Sequence, residues 1–233
     1  SFILVDRITH ETVAAGMFVD AGLEKRSTDR WNDAGKSAFM SSPVSSLISG
    51  EQRQEVYQQQ SLTILISGLS GSGKTTVARK LEELLFHDNR KTVLLDGQTM
   101  RTGLSRDLGF SAEERSENLR RAAEVARLMN DAGLICIASF LAPHDDVRSK
   151  VKNLIGSHRF FHLYLATPVE VCRKRDNSGI YEAADRQELS GLPGAGGRYE
   201  PPQDADLVLT TEDLSAESIA KQVMSVLADR QLL

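Results

Sequence analysis

Residues 68–75, Gly-Leu-Ser-Gly-Ser-Gly-Lys-Thr, fit the pattern G-x-x-x-x-G-K-[ST]. They lie between an apolar run at 62–67 and a segment, 74–86, with helical spacing of Val77, Leu81, Leu84 and Leu85. That context dictates a strand, a glycine loop and a helix. The glycines let backbone N–H groups curl around a phosphate, and the helix N-terminus adds the positive end of its dipole. Lys74 reaches the β- and γ-phosphates, and Thr75 offers a hydroxyl to Mg²⁺. A chain built around this loop binds a nucleoside triphosphate.

Further apolar runs at 92–95, 134–140, 159–167 and 206–211 alternate with helical segments, among them 112–132 and 216–228. Five buried strands alternating with helices predict an α/β, P-loop NTPase-type fold, doubly wound around a mostly parallel five-stranded sheet with helices on both faces. Ahead of this unit the chain has a different character. Residues 1–20 read as two short β-runs around a polar turn at 6–11, a pair too small to bury a sheet face. Residues 21–60 read as a linker, polar and aperiodic up to 44, with a short helix at 45–60 for which Ser45, Ser46 and Ser49 are capping candidates.

Composition removes several classes of function. With 28 Lys+Arg against 32 Asp+Glu, the net charge of −4 argues against a nucleic-acid-coating protein, which would carry a basic surplus. The two cysteines, Cys136 and Cys172, neither form a disulfide scaffold nor show zinc spacing. His10, His87, His158 and His162 show no ligand spacing, and no apolar run approaches the roughly 18 residues of a membrane span. The expectation is a cytoplasmic protein with no nucleic-acid or membrane partner.

The remaining motifs narrow the kind of P-loop protein. A GTPase would carry N-K-x-D, and none follows the loop. The 134–140 run ends without the carboxylate of a Walker-B strand, whereas the 92–95 run ends in Asp96-Gly97. A carboxylate at the carboxyl end of a neighbouring strand points into the same crevice. Asp96 there can orient Mg²⁺ water or accept the proton of an acceptor hydroxyl, which suits a small-molecule kinase; capping a following helix is its other reading. Arg115 and Asn118, three apart on a helix, share a face and form a candidate clamp for an anionic second substrate, with Arg101, Arg120 and Arg121 nearby.

The stretch LDGQTMRTGLSRDLGFSAEERSENLRRAAEVARL (95–128) resembles the signature region of adenylylsulfate (APS) kinases, L-D-G-D-N-x-R-x-G-L-N-x-D-L-G-F-S followed by R-x-E-N-x-R-R. The segments GLSGSGKTT, SFLAP (139–143), KRDNSGIY (174–181) and RYEPP (198–202) fall in family order, so the resemblance spans about 61–230. It implies transfer of phosphate from ATP to the 3′-hydroxyl of adenylyl sulfate, giving ADP and 3′-phosphoadenylyl sulfate (PAPS), with Mg²⁺ as cofactor. It assigns the triphosphate to Gly68, Leu69, Ser70, Gly71, Ser72, Gly73, Lys74, Thr75 and Thr76, with Lys74 and Asp96 catalytic and Thr75 and Asp96 on the metal. It assigns the second nucleotide to Gln98, Arg101, Phe110, Arg115 and Asn118 and the backbone at Leu141 and Ala142, and it makes 173–202 a lid carrying Arg173, Lys174, Arg175 and Leu192. A homodimer is the family expectation. The segment SFILVDRITHETVAAGMF resembles the last strands of the β-barrel in the GTPase-type subunit of bacterial sulfate adenylyltransferase. By that resemblance residues 1–20 are a remnant of an upstream barrel domain, through which a small adenylyltransferase subunit would associate.

Four positions depart from the family pattern. Gln98 replaces an acidic residue, Ala142 a serine, Ser178 a lysine and Leu192 an aromatic. Ala142 has no hydroxyl to phosphorylate, which leaves direct in-line transfer. The alternative reading is a catalytically weak, nucleotide-binding regulatory or scaffold domain, in which these substitutions have removed acceptor chemistry. Arg198 and Tyr199 are candidates to replace the lost lid contacts. His144, after the SFLAP turn, faces either phosphate or solvent.

Overall fold

The structure, a computed structural model, describes residues 2–5, 12–16, 31, 46–189 and 191–233. It divides into two compact units, Ser1–Ala34 and Gly35–Leu233. In the first, β1 (Phe2–Val5) and β2 (Thr12–Gly16) pair antiparallel with Phe2 opposite Gly16 and an irregularity between Leu4 and Val5. The turn read at 6–11 and the linker read at 21–44, apart from Trp31, lie outside the described residues.

The second unit opens with α1 (Gly50–Tyr57), where Ser49 rather than Ser46 is the cap. The Ser49 hydroxyl accepts from the Gln52 N–H, and the Gln52 side chain accepts from the Ser49 N–H, a reciprocal box that satisfies two orphan donors. There follow β3 (Leu62–Gly68), α2 (Lys74–His87), β4 (Thr92–Asp96), α3 (Gly97–Thr102), α4 (Ala112–Asp131), β5 (Ile135–Ser139) and α5 (Asp145–Ile155). Next come β6 (Phe160–Leu165), α6 (Val169–Lys174), α7 (Ile180–Asp185), β7 (Leu192–Pro193), β8 (Gly196–Gly197), β9 (Leu207–Leu209) and α8 (Ala216–Asp229).

Five strands form one sheet in the order β4-β5-β3-β6-β9, and all four pairings are parallel. Leu62, Ile64 and Ile66 of β3 face α2 and α8, packing with Val77, Leu81, Leu85, Ile219, Val223 and Leu227. The intervening Thr63 faces α4, where its hydroxyl donates to the Asn130 side chain at 2.6 Å. Helices on both faces explain why β3 reads as a continuous apolar run rather than an alternating one. The chain winds outward from β3 to the β4 edge, returns to β5, and then crosses to β6. Such a reversal opens a crevice at the carboxyl ends of the central strands, and the glycine loop after β3 lies there.

The segment read as a lid is not a bare loop. It contains α7 and the paired strands β7 and β8. Cys172, Tyr181 and Leu192 make a small core of their own, joined by Leu69, Val169, Ile180, Leu189 and Ala195. Leu69 belongs to the glycine loop, so the lid is packed directly against the phosphate cradle.

Candidate active site

The glycine loop owes its shape to two close approaches. A Cβ on Gly71 would lie 2.5 Å from the Cys172 carbonyl oxygen, and a Cβ on Gly73, whose φ is +88°, would lie 3.1 Å from the Thr211 side chain. Gly73 caps α2 without any side-chain hydrogen bond. The first N–H groups of that helix are therefore left for a ligand, as an anion site requires. Behind the loop, the Thr211 hydroxyl donates to the Ser72 carbonyl at 3.0 Å and pairs with the Thr167 hydroxyl at 3.0 Å. Arg175 donates to both the hydroxyl and the carbonyl of Thr211, at 2.6 and 2.8 Å. Tyr181 of α7 donates to the Ser70 carbonyl at 2.9 Å.

Lys74 bends back to donate to the Leu69 carbonyl at 2.6 Å. Burial pushes its ammonium down to about 8, an effect that Cys172 and Asp96 partly offset. A buried ammonium hydrogen-bonded to a carbonyl is poised for an anion that would favour its charged form.

Asp96 ends β4 and holds two partners there. One carboxylate oxygen accepts the Gln98 N–H at 2.9 Å and caps α3, while the other accepts the Thr75 hydroxyl at 2.8 Å. A carboxylate and a hydroxyl joined at the head of the glycine loop are the oxygen donors that Mg²⁺ takes when phosphates and water supply the remainder. Among the described residues no group of three His, Cys, Asp or Glu side chains offers a closed metal site.

These residues open into one cavity of about 600 Å³. It is lined by the loop residues Ser70, Gly71, Gly73, Lys74, Thr75 and Thr76, and by Gln98, Arg101, Phe110, Arg115, Asn118, Leu141 and Ala142, with Asp96 and Ser139 among them. Gly68, Leu69 and Ser72 lie behind the lining. Among the described lining residues Lys74, Arg101, Arg115 and Arg175 are basic and Asp96 alone is acidic, a field that favours polyanions. The Arg101 guanidinium lies 4.7 Å from the Phe110 ring centroid and donates to the carbonyls of Gly97 and Gly109. Burial lowers the pKa of Arg101, and its neighbour Arg115 adds to the effect. Burial likewise lowers Arg115, which reaches across to the lid to donate to the Gly191 carbonyl at 2.6 Å. Asn118 donates to the Gly97 carbonyl at 3.2 Å, and its own carbonyl oxygen is buried with no hydrogen-bond partner among the described residues. Arg115 and Asn118 thus keep unused polar capacity facing one space.

Several basic residues lie elsewhere. Arg173, expected towards the transferring phosphate, pairs with Asp185 at 2.7 Å and stacks over Tyr181, while neither it nor Lys174 lines the cavity. Arg120 and Arg121 both grip Glu117, and Arg121 also pairs with Asp107. Leu192 lines the cavity and is also buried in the lid core. Ser178 donates its N–H and hydroxyl to Asp176, fixing the turn before α7. Arg198 is exposed and pairs with Glu200, Tyr199 is half-buried and does not line the cavity, and His144 lies 3.9 Å from Glu200 rather than among the loop residues. Cys136 is a core thiol that burial pushes up to about 12. The reading from sequence passed over Thr167, Thr211 and Ser139. Their one signal is position: each ends, or closely follows, a strand whose carboxyl end opens on the crevice.

The sequence pattern of the adenylylsulphate kinase family matches residues 60–210. The chain is similar to the bifunctional enzyme CysN/CysC of Rhodopirellula baltica, 47% identical over 227 residues that cover 97% of this chain and 35% of that protein. It is similar to the adenylyl-sulfate kinase of Klebsiella pneumoniae, 39% identical over 186 residues, covering 80% of this chain and 92% of that one. Its fold is similar to that of the Mycobacterium tuberculosis APS kinase CysC solved with AMPPNP and APS, with a TM-score of 0.70, 34% identity, and coverage of 73% of this chain and 99% of that chain. The chain spans about a third of the length of the bifunctional relatives that it matches.

Proposed function

The chain belongs to the adenylylsulphate kinase family, and from that premise we propose that it transfers the γ-phosphoryl group of ATP to the 3′-hydroxyl of adenylyl sulfate, giving PAPS and ADP. The observation that carries this reading is a cavity lined both by the phosphate loop and by a second set of anion donors, Arg101, Arg115 and Asn118. A regulatory scaffold needs only the first half.

The chemistry follows from the residues. The loop N–H groups and Lys74 hold the β- and γ-phosphates, and Lys74 offsets the charge that develops as the bond to the β-phosphate oxygen breaks. Arg115 and Asn118 grip the anionic part of adenylyl sulfate, and the Phe110 face, backed by Arg101, stacks on its adenine. The 3′-hydroxyl oxygen bonds to the γ-phosphorus, ADP departs, and the hydroxyl proton passes to the Asp96 carboxylate, whose remaining lone pairs keep acceptor capacity. Thr75 and Asp96 would hold Mg²⁺, which when bound neutralises phosphate charge. With Ala142 in the acceptor loop, no enzyme-bound phosphate forms there. The lid, hooked to the loop by Tyr181 and to α4 by Arg115, excludes water. The relative from R. baltica aligns with nearly the whole chain, which supports reading the residues ahead of the kinase as part of an arrangement shared with it.

The test is ADP release from Mg²⁺-ATP with and without adenylyl sulfate, with PAPS followed by chromatography. PAPS formation that depends on adenylyl sulfate is expected. Tight ATP binding with no PAPS would overturn the reading in favour of a scaffold.

Lys74 adds a pH dependence. Its ammonium in the unliganded protein loses its proton near pH 8, and bound phosphate would restore it. ATP affinity should be flat below pH 7 and fall as pH rises through 8 towards 9.5, at a limiting slope of about tenfold per unit, with uptake of a proton on binding. Calorimetry in buffers of different ionisation enthalpy measures both quantities. A pH-independent affinity over that range would remove the charge of Lys74 from ATP binding.

A further inference from the structure

The acceptor loop after β5 ends at Ala142, which has a left-handed φ of +41° and is followed directly by Pro143. A residue with a Cβ disfavours that region, and the residue before a proline is steered towards extended backbone. Such a conformation persists only where its surroundings over-determine it. What surrounds it is Arg148, on the first turns of α5, a side chain only 4% exposed. Its Nη1 donates to the Ala142 carbonyl at 2.7 Å. Its Nη2 donates to the Glu200 carbonyl at 2.6 Å and to the Asp145 carboxylate at 2.8 Å.

Glu200 stands where the lid rejoins the fold. Its N–H donates to the Pro143 carbonyl at 2.8 Å, and its carboxylate accepts the Asp145 N–H at 2.9 Å. The preceding Tyr199 stacks face to face on Tyr164, with centroids 5.7 Å apart and planes 14° apart, and the Arg148 guanidinium lies 5.9 Å from the Tyr199 ring centre. One buried cation therefore spans two carbonyls: one on the loop that faces the acceptor, the other at the lid exit. Neither Arg148 nor Tyr199 nor Glu200 lines the cavity.

We propose that Arg148 is a positioning residue for phosphoryl transfer, its guanidinium fixing the Ala142 backbone to the point where the lid re-enters the fold, so that the acceptor end of the cavity is set by where the lid sits. This rests on the reading that this end takes adenylyl sulfate. Planarity matters here, because two nitrogens of one rigid fork serve two carbonyls, and a lysine ammonium is a single point. The ATP end does not depend on it, since the glycine loop is held from behind by Thr167, Thr211 and Tyr181.

Arg148→Met keeps much of the side-chain volume and removes the fork, while Arg148→Lys keeps the charge and loses the span. Steady-state constants for both substrates are measured on the full chain, with thermal melts alongside. Arg148→Met should raise KM for adenylyl sulfate about tenfold or more and leave KM for ATP within about twofold, with Arg148→Lys intermediate. A lost structural ion pair would instead move both constants, or only the melting temperature. If Arg148→Met shows no cooperative melt, Arg148→Lys decides. In the folded variant, an unchanged KM for adenylyl sulfate, or equal rises for both substrates, overturns the proposal. A wild-type protein that forms no PAPS overturns both this proposal and the acceptor reading, whereas wild-type activity with unmoved variant constants overturns Arg148 alone.

Discussion

Lys74→Ala should lower kcat by roughly three orders of magnitude or more, the scale seen when a preorganised charge is removed from a phosphoryl-transfer site. The reason is geometric as well as electrostatic. Lys74 begins α2 directly after the Gly73 cap, and its ammonium reaches back over the loop to the Leu69 carbonyl. No other basic side chain among the described residues both lines the cavity and belongs to the loop. Arg175 is engaged by Thr211 and cannot substitute without abandoning the hydroxyl that buttresses Ser72. Melting temperature should not fall, because burial costs the ammonium and alanine removes that cost. Stopped-turnover assays of PAPS formation beside a thermal melt check this. Turnover near wild type would remove the loop lysine from the mechanism.

Arg115→Ala should raise KM for adenylyl sulfate by about 10- to 100-fold, the equivalent of one charge-assisted hydrogen bond at about 1.5–3 kcal/mol. KM for ATP should stay within about twofold. Arg115 lines the cavity together with Arg101 and Asn118, and its bond to Gly191 also joins α4 to the lid. A fall in kcat would therefore accompany the KM change if the lid loses its seat. Initial-rate kinetics with each substrate varied in turn separate the two effects. Equal rises in both KM values would mean that the acceptor lies elsewhere in the cavity.

The architecture was legible because its signals are local. The run at 62–67 is apolar throughout, since a strand covered by helices on both faces has no solvent side to mark. The structure extends the 92–95 run by one residue, to Asp96, and trims the three later runs at both ends, the last by half, to Leu207–Leu209. Helix α4 begins where Ser111 and Glu114 form a capping box, a signature written in four consecutive residues. The lid was less legible. Its Gly and Pro content reads as loop, yet Tyr181 and Leu192 bury themselves against Cys172 and Leu69 across gaps that no periodicity spans.

The candidate site divides in the same way. The loop residues sit within one strand–turn–helix, and Arg115 and Asn118 on one helix face, so sequence order alone brings each group together, whereas Asp96, at the end of β4, meets Thr75 only in the folded sheet. Sequence order also determined that the chain carries a P-loop nucleotide site, and the resemblance over 95–128 placed it in the adenylylsulphate kinase family. Only the tertiary structure decided which basic residues face the cavity. Arg173 and Arg175 are two residues apart, yet one turns to Asp185 on the lid surface and the other to Thr211 behind the loop. Only the fold brought Thr167 and Thr211, 44 residues apart, into one hydrogen-bonded pair under Ser72, and Arg148 between Ala142 and Glu200. A guanidinium is satisfied by whichever carbonyls and carboxylates the packed chain presents within about 3 Å, and that set is assembled by the parallel sheet and not by neighbours in sequence.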